Sequence, residues 1–389
     1  MHEGGGVTSD FDAFHRIVLA DEALQAVLDD TIYPDEFARR AARAAEAAGL
    51  SLDADALRPD ARARRTPPSA DWAPPTWLPT GVIEDANEVA VDWARFEQVP
   101  LARSFFTDSV RDAVCRPFNR VFRHQTALDA FIDAAAAQPA VVPAGLVFHM
   151  SRCGSTLVAQ MLGALEGTIA LAEPEPLDSA VRLALARTDI PRTRRVALLR
   201  AMVGALARPR NGERRCFLKL DSWHILALPL FREAFPEVPW IYLFREPVEV
   251  LVSQMRMRGY QTVPALMPAG IYDLGDGGPL GPEMLCARIF AQYHAAAIRA
   301  LPNEGGLAID YATLPAAFEA RIAPHFGLCL SDGERRATID RATRDAKSPG
   351  VRFAPDDGGK RQQATEAIRQ AAEVHLAAPH AALRALAPV

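Results

Sequence analysis

The sequence predicts an α/β protein, a three-layer parallel sheet flanked by helices and preceded by a small N-terminal helical domain. Three observations predict it. Between residues 144 and 310 five short apolar runs alternate with segments of helical spacing, and such alternation implies a parallel sheet with crossovers of fixed hand. The first fifty residues show only helical periodicity. A proline-rich stretch then separates the two regions, and thirty prolines in the chain suit long connecting segments.

Asp10, or Ser9 before it, can cap a first helix with Phe11, Phe14, Ile17 and Val18 at helical spacing. Glu22 to Leu28 and Pro34 to Ala48 continue as two further amphipathic segments, and Gly49 is a natural stop. The run "FDAFHRIVLADEALQAVLDD" followed by "DEFARRAARAAEAAGLSLDADAL" resembles the Nif11-like leader domain. That resemblance implies a helical module of residues 9–58 that recognises or mimics a leader peptide. No double-glycine processing site follows it, which implies a retained domain. Residues 59–80 hold Arg62, Arg64, Arg65 and two tryptophans among prolines, and read as a linker because proline removes backbone donors and favours extended neighbours. The remainder, 81–389, reads as one domain, with "VAVDWARF" as a short strand and "ALDAFIDAAAA" as a helix ahead of its main pattern.

Composition narrows the function classes. The 389 residues are 49% hydrophobic and 23% charged, enough to bury a sizeable core, and the net charge of −5 provides no global field for nucleic acid or an anionic membrane. Any anion site must be local. Cys115, Cys153, Cys216, Cys286 and Cys329 are odd in number and lack CxxC spacing, so neither a disulfide framework nor a zinc site is expected, and a reducing cytoplasm is the default. The polar, glycine-rich start carries no signal-peptide pattern, and no stretch has the roughly 18 apolar residues of a membrane span.

The strands read as "AGLVFHM", "TIALA", "CFLKL", "WIYLF" and "GLAID". The first runs into "SRCGST", with Gly154 followed by Ser155 and Thr156 opening a helix. A helix N-terminus offers unpaired N–H groups and a positive dipole end, and glycine lets a phosphate approach closely, so the turn is an anion cradle. A Walker loop places lysine after that glycine. Here Ser155 stands there and Arg152 supplies the cation, which argues against an ordinary ATPase or GTPase. The fourth strand repeats the arrangement with Arg245, Pro247 and Ser253, and arginine and serine eight residues apart can reach one phosphate from two helical turns.

"SRCGSTL" resembles the 5′-phosphosulfate loop of sulfotransferases that use 3′-phosphoadenosine 5′-phosphosulfate (PAPS), a P-loop-type fold, and particularly that of tyrosylprotein sulfotransferases. The resemblance implies that Ser151, Arg152, Cys153, Gly154, Ser155 and Thr156 hold the donor's 5′-phosphate, and that Arg245 and Ser253 hold its 3′-phosphate. Cys153 replaces the usual serine, a weaker hydrogen-bonding group; it either fills space or, exposed at a helix N-terminus, is reactive. Lys219 precedes Arg245 by twenty-six residues and Glu173 follows Arg152 by twenty-one, the separations of the tyrosylprotein enzymes. By that resemblance Glu173 is the general base, with Arg152 and Lys219 as the other catalytic residues. Glu175 is the fallback base; His149 is a candidate only by analogy with the histidine base of cytosolic sulfotransferases, whose spacing it does not match, and otherwise reads as a satisfied strand histidine; and Asp221 orients Lys219 or the acceptor, or merely caps a helix.

Sulfuryl transfer relies on positioning and cationic stabilisation and requires no metal. Residues 259–281 are rich in glycine and proline and could form an acceptor lid. Lys347, Arg352, Lys360 and Arg361 resemble in composition the distal cofactor loop of sulfotransferases. The expected function is sulfuryl transfer from PAPS to a hydroxyl on a small molecule or peptide. Two alternatives stand: a nucleoside-triphosphate-dependent, kinase-like enzyme, and a noncatalytic peptide-binding scaffold.

Overall fold

The computed structural model describes residues 10–58, 67–85, 88–99, 101, 104–275, 278, 280–344 and 357–387. Ser9, Arg62, Arg64, Arg65, Lys347 and Arg352, singled out above, lie outside them. The chain divides into two compact units, Met1–Arg103 with Thr107–Pro139, and Ser104–Phe106 with Ala140–Val389.

The N-terminal unit opens with the three expected helices, α1 (Asp10–Ala20), α2 (Glu22–Asp29) and α3 (Pro34–Ala47). Asp21 caps α2 by accepting from the Leu24 amide at 2.9 Å, and Pro34 starts α3 where its missing N–H costs nothing. Next come β1 (Trp77–Asp85), β2 (Glu88–Arg95), α4 (Phe106–Val114), α5 (Pro117–Val121), β3 (His124–Ala127) and α6 (Leu128–Ala134). The strands form an antiparallel sheet in the order β1-β2-β3.

This arrangement moves the expected boundaries. The helices of the expected 9–58 domain fall in the same compact unit as β1, β2 and β3, and the segment expected as linker ends in β1. The physical reason is that three short helices cannot bury their apolar faces alone. Phe122 packs against Phe11, Phe14 and Phe37. The Trp77 indole donates to Gln25 at 2.9 Å. Asp29, 0% exposed, accepts from Arg95 at 3.0 Å and Arg116 at 2.6 Å.

The second unit follows the predicted pattern: β4 (Pro143–His149), α7 (Ser155–Gly163), β5 (Thr168–Ala172), α8 (Glu175–Ala186), α9 (Arg192–Leu206), β6 (Arg215–Lys219), α10 (Leu228–Ala234), β7 (Trp240–Phe244), α11 (Pro247–Arg256), α12 (Pro282–Ala300) and β8 (Gly306–Asp310). Then follow α13 (Ala323–His325), α14 (Asp332–Ala342), α15 (Asp357–Gln362), α16 (Glu366–His375) and α17 (Ala377–Ala385). The five strands pair in parallel, in the order β5-β6-β4-β7-β8. Helices flank the sheet. All five residues of β7 are buried, as a strand covered on both faces requires. Because the strands are parallel, their carboxyl ends lie together at one edge, the place where open α/β sheets bind ligands.

Candidate active site

Each of the five strands delivers a residue from its carboxyl end to a single cavity of about 760 Å³: His149 from β4, Glu173 after β5, Lys219 at the end of β6, Arg245 after β7 and Tyr311 after β8. The turn from Ser151 to Thr156 forms part of the same wall. Among the described residues six cationic side chains line the cavity, Arg152, Lys219, Arg245, Arg256, Arg344 and Lys360, against two carboxylates, Glu173 and Asp221. The protein's net negative charge is thus reversed locally, and the cavity suits a polyanion.

The turn after β4 is built under strain. Ser151, Arg152 and Glu173 are the non-glycine residues with positive φ among those described, at 78°, 53° and 50°, and all three line this cavity. Left-handed backbone at such residues is unfavourable and persists only where the surroundings fix it. The fixing groups are visible: the Ser151 amide donates to His149 Nδ1 at 3.0 Å, and Ser151 Oγ accepts from the side-chain amides of Gln254 and Gln261, each at 3.1 Å. Gly154, at φ 83°, caps α7 with no side-chain hydrogen bond. The first turn of α7 therefore presents its N–H groups without a side-chain cap. A Cβ at position 154 would stand 2.7 Å from the Tyr311 ring, so close packing as well as φ requires glycine.

Cys153 is fully buried, its thiol donates to the Leu243 carbonyl at 3.3 Å, and burial pushes its pKa up to about 11. It fills space rather than offering a nucleophile. Arg152 donates to the Met257 carbonyl at 2.9 Å, which aims the guanidinium along the cavity wall. Arg245, 6% exposed, makes a two-nitrogen contact with Glu249 at 2.8 and 2.7 Å and stacks on the Tyr311 ring at 4.0 Å. Glu249 also accepts from Arg361 at 2.9 Å, so one of the late cations expected near the donor reaches this element. Ser253 and Lys360 line the cavity too.

Glu173 forms an ion pair with Lys219, and its Oε1 is also 3.4 Å from His149 Nε2. Burial would raise the Glu173 pKa, but Lys219 and His149 together hold it well below the usual carboxylate range. His149 accepts at Nδ1 from Ser151, so its proton sits on Nε2, 2.9 Å from the Leu220 carbonyl. Burial and the Lys219 charge lower its pKa. A neutral imidazole with both nitrogens engaged positions the turn and Glu173; it is not placed to take an acceptor's proton. Glu175 is exposed in the first turn of α8 and is not among the cavity-lining residues, which removes the fallback base from the site.

Asp221 does not act as a helix cap; its side chain caps nothing and accepts from the Tyr260 hydroxyl at 2.7 Å. Burial, then the nearby Glu173 charge, raise its pKa to about 7. Asp178, Asp221 and His224 hold potential metal-ligand atoms within 4.8 Å of one another. The Asp178 carboxylate, however, already accepts from Trp223 at 2.8 Å, from His224 at 3.1 Å and from Arg182, a satisfied hydrogen-bond network.

Several lining residues carry no motif. Tyr311 was findable only as the residue following the fifth strand. Tyr260 and Gln261 belong to the glycine- and proline-rich 259–281 stretch, whose first residues fold onto the cavity. Arg256, Arg344 and Phe105 come from separate parts of the chain, and only folding brings them here.

No family model matches the chain, and no curated protein matches it. Among solved structures it is similar to a sulfotransferase from Mycobacterium tuberculosis H37Rv, at 16% identity and a TM-score of 0.36 over 53% of this chain and 73% of that one. It is similar to a sulfotransferase from Mycobacterium avium at 15% identity and a TM-score of 0.39, over 64% and 80% of the two chains. A third similar structure is retinol dehydratase in complex with androsterone and inactive cofactor PAP, at 15% identity and a TM-score of 0.33, over 64% and 84%.

Proposed function

We propose that the C-terminal unit transfers a sulfuryl group from PAPS to a hydroxyl acceptor. The observation that carries this reading is that two cationic turns, Ser151–Thr156 and Arg245 with Ser253, open with Lys219 onto one cavity while the residue after Gly154 is serine rather than lysine. A donor with phosphates at two positions needs two such turns; a nucleoside triphosphate needs one, with its lysine. The glycine at 154, tolerated only without a Cβ, and the uncapped α7 N-terminus fit a 5′-phosphate group.

In this reading the amides of Gly154, Ser155 and Thr156 orient the 5′-phosphate, and Arg245 and Ser253 hold the 3′-phosphate. Arg152 and Lys219 neutralise charge growing on the leaving phosphate oxygen. The donor supplies the activated sulfuryl group, Glu173 is the proton acceptor, and no metal is needed. The acceptor is a hydroxyl-bearing small molecule or peptide. The Nif11-like resemblance of α1–α3 favours a peptide, with the N-terminal unit recognising it. All five cysteines are free thiols, and no helix among the described residues is long and apolar enough to cross a membrane; a cytoplasmic location belongs to the same reading.

Calorimetry tests the donor. The protein should bind 3′-phosphoadenosine 5′-phosphate without divalent metal. Preference for ATP with magnesium would favour the kinase-like alternative, and binding without turnover on any hydroxyl acceptor would favour a scaffold.

A further inference from the structure

Among the cavity's cations Lys219 has the most consequential partner. Arg152 is held by a backbone carbonyl and Arg245 by Glu249. Lys219 alone of these three is paired with Glu173, the proton acceptor of the reading above. The Lys219 side chain is 1% exposed and that of Glu173 26%, so the carboxylate is the member that opens to the cavity. The main chains of the two residues are bonded, Glu173 N donating to Lys219 O at 2.7 Å, and Glu173 has a left-handed backbone. The backbones are therefore fixed relative to each other, and only the side chains can part.

The groups facing Glu173 are Lys219 from β6, His149 from β4, Arg152 from the turn, and Asp221 beyond β6. With Lys219 in place, Glu173 is too well stabilised as an anion to accept a proton readily. With Lys219 drawn away, burial is no longer opposed by the ammonium and the Asp221 carboxylate remains nearby, and both raise the affinity of Glu173 for a proton. The ammonium that silences the base is also a ligand for the donor's anionic groups.

Resting on the donor reading above, we propose that Lys219 is a switch shared between Glu173 and the sulfuryl donor. In the donor-free protein it masks the base, and on turning to the donor's 5′ anionic groups it releases Glu173. The acceptor oxygen then bonds to sulfur, the bond from sulfur to the 5′-phosphate oxygen breaks with its electron pair leaving on that oxygen, and the acceptor's proton passes to Glu173. Donor binding thus precedes activation of the acceptor, and the base is formed only when there is a group to transfer.

The test is a double-mutant cycle on the affinity of the full chain for 3′-phosphoadenosine 5′-phosphate, read by calorimetry with folding checked by circular dichroism. Glu173→Gln should bind the nucleotide about tenfold more tightly than wild type, because Lys219 no longer leaves a charged partner; a tenfold change is about 1.4 kcal/mol, close to the lower end of the range for one charge-assisted hydrogen bond. In the Lys219→Met background the same change should have no more than a twofold effect. That arm separates the switch from simple relief of repulsion between Glu173 and the ligand, which would tighten both backgrounds alike. Unchanged or weaker affinity in a folded Glu173→Gln protein, or equal effects in both backgrounds, overturns the switch and leaves the donor reading intact. If Glu173→Gln fails to fold, Glu173→Asp, one methylene short of Lys219, takes its place with the same expected tightening. A wild type that ignores this nucleotide and binds ATP with magnesium overturns both.

Discussion

The two units each bury charge, and they do it differently. In the N-terminal unit Asp29 and Arg95 are 0% and 1% exposed, with Arg116 completing a closed cluster. In the C-terminal unit Lys219 is as deeply buried as Arg95, yet its partner Glu173 is open to a cavity. Burial outweighs the two arginines and raises the Asp29 pKa, whereas Lys219 and His149 outweigh burial and lower that of Glu173. In the closed cluster Asp29 is shared by Arg95 and Arg116, and Arg95 also pairs with Glu97, so its charges find their partners within the unit and tie α2, β2 and the start of α5 together. The open pair has a surplus of cations around it and can exchange partners. In the function proposed above, access to a cavity rather than burial itself distinguishes the pair that takes part from the one that only packs.

The sharpest way to break this comparison is to remove the open carboxylate's basicity. Glu173→Gln should affect function more than stability: turnover should fall by roughly 10²–10⁴-fold in a sulfuryl-transfer assay, the span for a lost general base. Asp29→Ala should do the reverse. Leaving Arg95 and Arg116 without their shared partner should cost about 3–5 kcal/mol of stability, measured by urea unfolding, with the affinity of the surviving folded protein for 3′-phosphoadenosine 5′-phosphate unchanged.

Smaller effects sharpen the contrast within the cavity. Arg245→Ala should weaken nucleotide binding by about 1.5–3 kcal/mol, as expected for a hydrogen bond to a charged group; calorimetry showing no loss would detach Arg245 from the donor. Asp221 gives a pH signature. Its folded pKa is raised from 3.8 to about 7, so the folded protein retains a proton there that an unfolded chain releases. Folding takes up that proton between those values, and stability falls as pH rises across the window. Asp221→Asn removes this loss, so its melting temperature relative to wild type should climb from pH 4 to pH 7 and then level off. A constant difference would show that Asp221 is ionised throughout.

The second unit's architecture was legible because its elements announce themselves locally. "WIYLF" is a fully buried strand and "AGLVFHM" ends at the glycine-containing turn that opens α7, as β7 and β4 do. The first unit's boundaries were not legible. Trp77 lies among prolines in a segment that reads as linker, and nothing local records that its indole meets Gln25 fifty-two residues earlier. The same limit applied at the site, where chain spacing located Glu173, Lys219 and Arg245 but could not show which of them touch.

What the sequence by itself determined is the set of elements and the chemical character of the turns. Hydrophobic periodicity, Gly154 and the serine after it are properties of neighbouring residues, and parallel strands must bring their carboxyl ends to one edge of a sheet. What only the tertiary structure decided is partnership: that Lys219 is paired with Glu173, that His149 has both nitrogens engaged, that Asp221 meets Tyr260 instead of capping a helix, and that Glu175 lies outside the cavity. Partnership and burial set whether a carboxylate is a base, a counter-ion or a solvated surface group, and both depend on residues distant in the chain.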